Sequence, residues 1–195
     1  MFDTALIGKA AGILALVAYI PYFIAMIRGT TRPSRATWWI WSVVGIVFGA
    51  SYYSSGAVDT IWVPISNVIG PFITAILSLK YGEGGWTPFD RKCLAGAAMS
   101  LALWWVFDSP LVALVTVIAV DFLGALPTIV KTHHDPESED RFAWSISLVG
   151  NIMNMFAIKL WSFAIMTYPV YMLCVCSIIN GLIYFRPKKT RSVQR

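Results

Sequence analysis

Long apolar segments separated by short polar ones make up almost the whole chain. A helix that crosses about 30 Å of hydrocarbon needs about 20 apolar residues, and division of the chain at its polar stretches predicts seven such helices. They span residues 6–27, 37–53, 60–79, 93–107, 111–130, 142–158 and 161–185. Because little chain remains between them, the pattern predicts an all-α membrane protein without a sizeable soluble domain.

The amino-acid composition supports a membrane protein. Hydrophobic residues make up 57% of the chain and charged residues only 13%, about half the charged share of a soluble domain. Nine Trp, eight Tyr and eleven Phe fit a protein whose aromatic side chains lie at both membrane interfaces. The three cysteines fall within apolar segments, which argues against a disulfide framework.

The basic residues are distributed unevenly between the two ends of the predicted helices. With seven helices, thirteen of the fifteen Lys and Arg fall on one side and only Lys9 and Lys159 on the other. The positive-inside rule then places the N-terminus outside and the C-terminus in the cytoplasm. The net charge of +5 therefore reflects topology rather than nucleic-acid binding. Compact loops without an evident sorting tail favour a bacterial inner membrane.

The chain contains an internal repeat. A shift of 106 residues places Pro21 on Pro127 and Trp38 on Trp144, and a shift of 105 places Pro64 on Pro169. Each copy contains three helices. Because three is odd, a second copy that followed directly would cross the membrane in the opposite direction, and the fourth helix between them restores the same direction. The predicted organisation is 3+1+3, with a first repeat at 1–80, a linker and inverting helix at 81–110, a second repeat at 111–185 and a basic tail at 186–195.

This arrangement resembles the SWEET and PQ-loop transporter superfamily, although the Pro-Gln pair of that family stands here as Pro21-Tyr22 and Pro127-Thr128. The resemblance implies movement of a small polar solute, a sugar first and an amino acid next, through a central pocket by alternating access. A ligand-binding receptor or an accessory membrane subunit without net transport is the alternative. Sequence motifs of hydrolases and metalloproteases are absent, so no enzymatic activity, cofactor or metal is expected. Homo-oligomerisation is left open.

Asp121 is the acidic residue that the sequence places deep in a predicted membrane helix. A carboxyl group in hydrocarbon usually faces a cavity, a partner or a proton path. Asp121 is therefore the candidate for proton coupling. The alternative is a carboxyl group that only hydrogen-bonds a neighbouring helix.

One face of the sixth predicted helix carries Trp144, Ser147, Asn151 and Asn154 at helical spacing, and Trp38 is the equivalent of Trp144 in the first repeat. Aromatic rings cover the C–H faces of a sugar and amides satisfy its hydroxyls, so these residues are predicted to bind solute. The tryptophans could instead be interfacial anchors and the asparagines contacts between helices.

Two asparagines on the third helix of each repeat are further candidates for the pocket. Asn67 matches the asparagine that SWEET-like carriers have at the sugar site, and Asn180 is its less well matched counterpart. The helix prolines can kink a helix and act as hinges. The predicted hinges are Pro21, Pro127, Pro64 and Pro169.

The segment 133–140 is the most polar stretch of the chain. Adjacent histidines without a third spaced ligand make a metal site unfavourable there, and the segment is interpreted as a solvated cytoplasmic turn. Ser138 or Glu139 is expected to cap the helix that follows.

Overall fold

A computed structural model of the chain describes residues 4–54, 62–83, 86–106, 110–158, 161 and 163–186. Within these ranges, side chains are described except at 5, 47–54, 62–67, 100, 101, 103–105, 110–114 and 163–165. The described residues form helices joined by short connections, with no β-strand among them. The helices are α1 Thr4–Val17, α2 Tyr19–Ile27, α3 Arg35–Ser54, α4 Trp62–Tyr81, α5 Pro88–Val106, α6 Pro110–His134, α7 Arg141–Ala157 and α8 Phe163–Phe185, with a 3-10 turn at Pro136–Ser138.

A helix lies at each of the seven apolar segments that the sequence predicts, and the first segment is divided into α1 and α2 at Ala18. Pro21 accounts for the division, because it has no N–H to donate to the Val17 carbonyl and its ring crowds that carbonyl. Pro127 and Pro169 lie inside continuous helices instead. Pro64 lies in the first turn of α4, where proline is tolerated. The hinge roles of these prolines stay predictions.

Within the described ranges, three helical segments are long and apolar enough to cross a membrane, namely Leu6–Ile27, Val115–His134 and Met166–Phe185. Large apolar side chains on the described surface remain exposed, including Phe142, Phe156 and Phe185. Many exposed large apolar side chains on long apolar helices are suited to contact with lipid. The chain has the character of a membrane protein.

The helices pack in an order that closes a ring. Helix α4 contacts α1, α2 and α3, and helix α8 contacts α6 and α7. Contacts of α7 with α1 and α2 join these two groups on one side, and contacts between α3 and α6 join them on the other. Helix α5 packs against α6 and α3. In each group, therefore, the third predicted helix lies between the first and the second.

Close helix approach depends on small residues at two positions. A Cβ atom at Gly70 in α4 would collide with the ring of Tyr19 in α2. A Cβ atom at Gly124 in α6 would come within 2.9 Å of Ile40 and Trp41 in α3. Both glycines therefore bring helices closer together than alanine would allow.

The turn between α6 and α7 differs in part from the prediction of a solvated segment. His133, His134 and Glu137 are exposed, but Pro136, Ser138 and Glu139 are buried, because the turn folds back over the end of the helices and the Ser138 carbonyl accepts a hydrogen bond of 2.9 Å from the backbone N–H of Arg32. The predicted cap was also wrong. The Asp140 carboxylate, rather than Ser138 or Glu139, accepts a hydrogen bond from the backbone N–H of Ala143 at 2.7 Å and caps α7.

Candidate functional site

Asp121 lies at the contact between the two helix groups. It is only 4% exposed. The hydroxyl groups of Tyr171 and Tyr168 in α8 donate to its two carboxylate oxygens at 2.8 and 3.3 Å. From the other group, the indole N–H of Trp41 in α3 donates to the Asp121 backbone carbonyl at 3.2 Å. Asp121 thus contacts side chains of both groups.

The partners of the Asp121 carboxylate in this structure are neutral hydroxyl groups. Among the described residues, the ion pairs are Arg32–Asp135 and Lys131–Glu139, and Asp121 takes part in neither. A buried carboxylate without a cationic partner is costly, whereas the protonated carboxyl group is neutral. Asp121 is therefore chemically suited to bind a proton or the cationic group of a solute.

Aromatic rings lie close together beside this site. The rings of Trp38 and Trp41 meet edge to face with centroids 5.2 Å apart, and the ring of Tyr22 lies 5.2 Å from that of Trp38. The ring of Tyr19 lies 6.1 Å from that of Trp38. Tyr22 and Trp38 are buried in the core, and Tyr19 and Trp41 are partly buried beside them. Rings of this kind pack well against the C–H surface of a solute.

The indole N–H of Trp38 is buried and makes no hydrogen bond of normal geometry, although the Tyr22 hydroxyl lies beside it. The equivalent N–H of Trp144 donates to Glu139 at 2.9 Å. The repeat explains the difference, because a shift of 106 residues relates Glu139 to Pro33, which has no side-chain acceptor. An unsatisfied buried donor costs about 1–3 kcal/mol, and a solute oxygen could satisfy this one.

The predicted polar face of α7 is half-buried. The side-chain N–H₂ of Asn151 donates to the Ser147 carbonyl at 2.9 Å and lies 3.4 Å from the Cys176 sulfur. Ser147 and Asn154 are also half-buried, and Trp144 is buried at the end of α7 that is nearer the turn. The side-chain amides of Asn151 and Asn154 thus lie on a half-buried surface of α7.

Asn180 holds two helices together in this structure. Its side-chain N–H₂ donates to the Trp144 carbonyl at 2.9 Å and to the Cys176 carbonyl at 2.8 Å. Both amide hydrogens are therefore used within the protein, which favours a contact between helices over a solute contact. Asn67 lies in α4, but its side chain, like that of Pro64, falls outside the described side chains, so its predicted role stays a prediction.

A buried polar network that the sequence pattern does not predict surrounds Glu139. The two oxygens of this carboxylate accept hydrogen bonds from Tyr22 in α2 at 2.8 Å and from Trp144 in α7 at 2.9 Å, and also pair with Lys131 in α6. Lys131 also donates to the backbone carbonyl of Arg32. No local pattern could have indicated this network, because Tyr22 lies 117 residues from Glu139.

The described residues combine a buried carboxylate, an unsatisfied indole donor, several aromatic rings and a half-buried amide. This set can bind a small polar solute through hydrogen bonds and ring contacts, and can exchange a proton. Within the described part of the chain, no three His, Cys, Asp or Glu side chains are grouped so that they could hold a metal ion. Comparisons with protein-family models, with curated proteins and with solved structures gave no match for this chain.

Proposed function

We propose that this protein is a membrane transporter that moves a small polar solute by alternating access. In this proposal all seven helical segments cross the membrane. The helices α1–α4 and α6–α8 form two parallel three-helix groups that α5 connects and inverts. The N-terminus lies outside, the C-terminus lies in the cytoplasm, and the membrane is a bacterial inner membrane. The proposal takes the chain to be a relative of the SWEET and PQ-loop carriers that its sequence resembles.

The observation that carries this proposal is the position of Asp121. It is a buried carboxylate in one of the three helices that are long and apolar enough to span a membrane, and it contacts both helix groups. An ionisable residue at such a place usually marks a substrate or proton path. A purely structural role would be served better by a neutral side chain, which carries no desolvation cost.

The packing order gives independent support. In each group the third helix lies between the first and the second, and the first helix of each group contacts the second helix of the other. This is the contact pattern expected for two repeats related by an axis along the membrane normal. Such an arrangement leaves the group-to-group contacts as the surfaces that would separate during transport.

The chemistry around Asp121 favours a polar solute with an apolar face. Trp38 and Trp41 supply rings, the free Trp38 N–H supplies a donor, and Asn151 supplies an amide oxygen. A sugar would use all of these features, and we place sugars first among the candidate solutes. Amino acids come second, because their ammonium group could pair with Asp121.

The second candidate is a receptor or accessory subunit that binds the same solute without net transport. Its support is the number of polar side chains that are satisfied inside the protein, such as Asn180 and Glu139, since these would hold the two groups in one arrangement. Binding alone cannot separate the two candidates. Movement of solute across a sealed membrane does.

The test is uptake into proteoliposomes made with the purified full chain, after a thermal-shift screen of sugars and amino acids has identified a stabilising solute. We expect saturable uptake that depends on pH. The Asp121→Asn variant should still be stabilised by the solute but should lose the pH dependence, because its amide cannot take up or release a proton. Asp135→Asn, at a half-exposed position, is the control and should keep the wild-type pH profile.

Stabilisation by a solute without any uptake would overturn the transporter and support the receptor. Wild-type pH dependence in Asp121→Asn would remove Asp121 from proton coupling.

A further inference from the structure

Hydrogen bonds tie the two helix groups together at the end of the molecule that carries Arg32, Asp135 and Glu139, which we call the Glu139 end. Two of the donors occupy equivalent places in the repeat. Tyr22 follows Pro21 in the first repeat, and Thr128 follows Pro127 in the second. Both residues lie where glutamine stands in the Pro-Gln pair of the SWEET and PQ-loop superfamily, which the sequence resembles.

Each of these residues donates to the other helix group. The Tyr22 hydroxyl donates to Glu139 at 2.8 Å. The Thr128 hydroxyl donates to the Thr37 hydroxyl oxygen at 2.9 Å, and the Thr128 backbone N–H lies 3.2 Å from the same oxygen. All four residues are buried. The acceptors are not equivalent in the repeat, so only the donors follow its symmetry.

We propose that Tyr22 and Thr128 are the two halves of a latch that keeps the Glu139 end closed, and that release of the latch opens the central site to water at that end. This inference rests on the proposed transport function. It assigns a role to two residues whose hydroxyl groups the solute-binding proposal does not use. Thr128 lies seven residues after Asp121, about 10 Å along α6, whereas the Tyr22 ring lies against Trp38, so the latch borders the proposed solute site.

The chemistry of these contacts suits a reversible closure. A hydrogen bond between two neutral groups, such as Thr128 to Thr37, contributes little net free energy because water can replace either partner, and a hydrogen bond to a carboxylate, such as Tyr22 to Glu139, contributes more. The preceding proline supplies no backbone N–H to the turn before it, so the helix is already less constrained at the point where each donor lies. Apolar contacts could close this end without using any particular residue, whereas these hydrogen bonds come from the same position of each repeat.

The other contacts at this end depend on the same closed arrangement. Lys131 pairs with Glu139 and donates to the Arg32 carbonyl, and the Arg32 N–H donates to the Ser138 carbonyl at 2.9 Å. When Tyr22 binds Glu139, the carboxylate is held where Lys131 can reach both it and Arg32. Loss of the Tyr22 hydroxyl therefore weakens a set of contacts that crosses between the groups.

The test uses Cys176 as a reporter of water access. This thiol is 3% exposed and lies beside Asn151, four residues before Asn180 and deeper in the molecule. In the full chain with Cys93→Ala and Cys174→Ala, a membrane-impermeant maleimide is applied to sealed vesicles of either orientation. No solute is added, so the measurement does not depend on knowing the transported molecule.

Tyr22→Phe and Thr128→Val each remove a latch hydroxyl and retain most of the side-chain volume. We expect Thr128→Val to raise the rate of Cys176 labelling between about twofold and tenfold, the range that corresponds to the loss of one neutral hydrogen bond. Tyr22→Phe should raise it by about tenfold or more, because its lost partner is a carboxylate. The increase should occur only in vesicles that expose the Glu139 end. The double variant should exceed either single variant.

Ser42→Ala is the matched control. Ser42 is buried and its hydroxyl donates to the Trp38 carbonyl within α3, so the substitution removes a buried hydroxyl that does not link the two groups. It should leave labelling at the wild-type rate. Labelling of the latch variants at the rate of this control would overturn the proposal, and so would an equal increase from both sides, since that indicates general loosening.

The latch and the transport proposal fail in different ways. Solute uptake by the wild-type chain together with unchanged labelling of the variants rejects the latch and leaves transport intact. Increased labelling from the Glu139 side, in a chain that takes up no solute, keeps the latch as a closure of a receptor and rejects transport.

Discussion

At the scale of single residues, the structure assigns different roles to two buried acidic side chains. Asp121 has tyrosine hydroxyls as partners, and it is placed where a proton or a cationic group can bind. Glu139 is paired with Lys131 and satisfied by Tyr22 and Trp144. Asp121 is therefore suited to change its protonation state or its partner, and Glu139 is suited to hold one arrangement of the helices.

Glu139→Ala should destabilise the folded protein by about 3–5 kcal/mol, because Lys131 would remain buried without its counter-charge. The melting temperature in detergent measures the effect. Asp135→Ala breaks the half-exposed pair with Arg32 at the same end of the molecule and should cost no more than about 1 kcal/mol. Equal decreases in stability for the two variants would show that the buried Glu139–Lys131 pair contributes no more than the half-exposed Arg32–Asp135 pair.

The sequence predicted Asp121 as a buried functional candidate, because a carboxyl group within an apolar helix is unusual wherever its partners lie. It did not predict Glu139, since a carboxylate in a polar turn looks like any solvated residue until the chain folds. It did not predict the surroundings of Lys131 either, because the partner that buries its side chain almost completely is Glu139.

At the scale of elements, the predicted helix segments agree closely with the observed ones, and the exceptions have local causes. Pro21 divides the first segment, and Asp140 starts α7 through its cap. The contact between α2 and α4 depends on Gly70, since the ring of Tyr19 occupies the space that a Cβ atom would need. Helix packing here relies on small residues, as is common where lipid surrounds the helices.

Gly70→Ala should therefore lower stability by about 1–3 kcal/mol, the usual cost of forcing an extra carbon into a packed contact. Gly181 in α8 offers the matched control, because a Cβ atom there meets nothing within 4 Å. Gly181→Ala should leave the melting temperature unchanged or raise it slightly, since alanine favours helix. A melting temperature for Gly70→Ala at or above that of Gly181→Ala would contradict the close α2–α4 contact.

At the scale of the whole molecule, the proposed transport mechanism requires an odd number of crossings, with the two chain ends on opposite sides. The uneven distribution of Lys and Arg predicts which end lies inside. The same argument places the Glu139 end, with its basic residues, on the cytoplasmic side. The predicted topology and the proposed latch and solute site therefore all assume the same orientation of the chain in the membrane.

This orientation can be measured with single cysteines in a chain whose three native cysteines are replaced by alanine. A cysteine at Thr4 should react with an impermeant maleimide in right-side-out vesicles, and a cysteine at Ser192 only after the vesicles are opened. Reaction of both from the same side would indicate an even number of crossings and reject the inverted 3+1+3 arrangement.

The sequence by itself determined the helices, their lengths and the membrane character, because these follow from the hydropathy of neighbouring residues and from prolines that act on their own turn. The tertiary structure alone decided which polar groups meet. The most distant hydrogen-bond partners of the Asp121, Thr128 and Glu139 side chains lie 50, 91 and 117 residues away, and no local pattern specifies such pairs. Burial of these groups is favourable only when the folded helices bring donors and acceptors together.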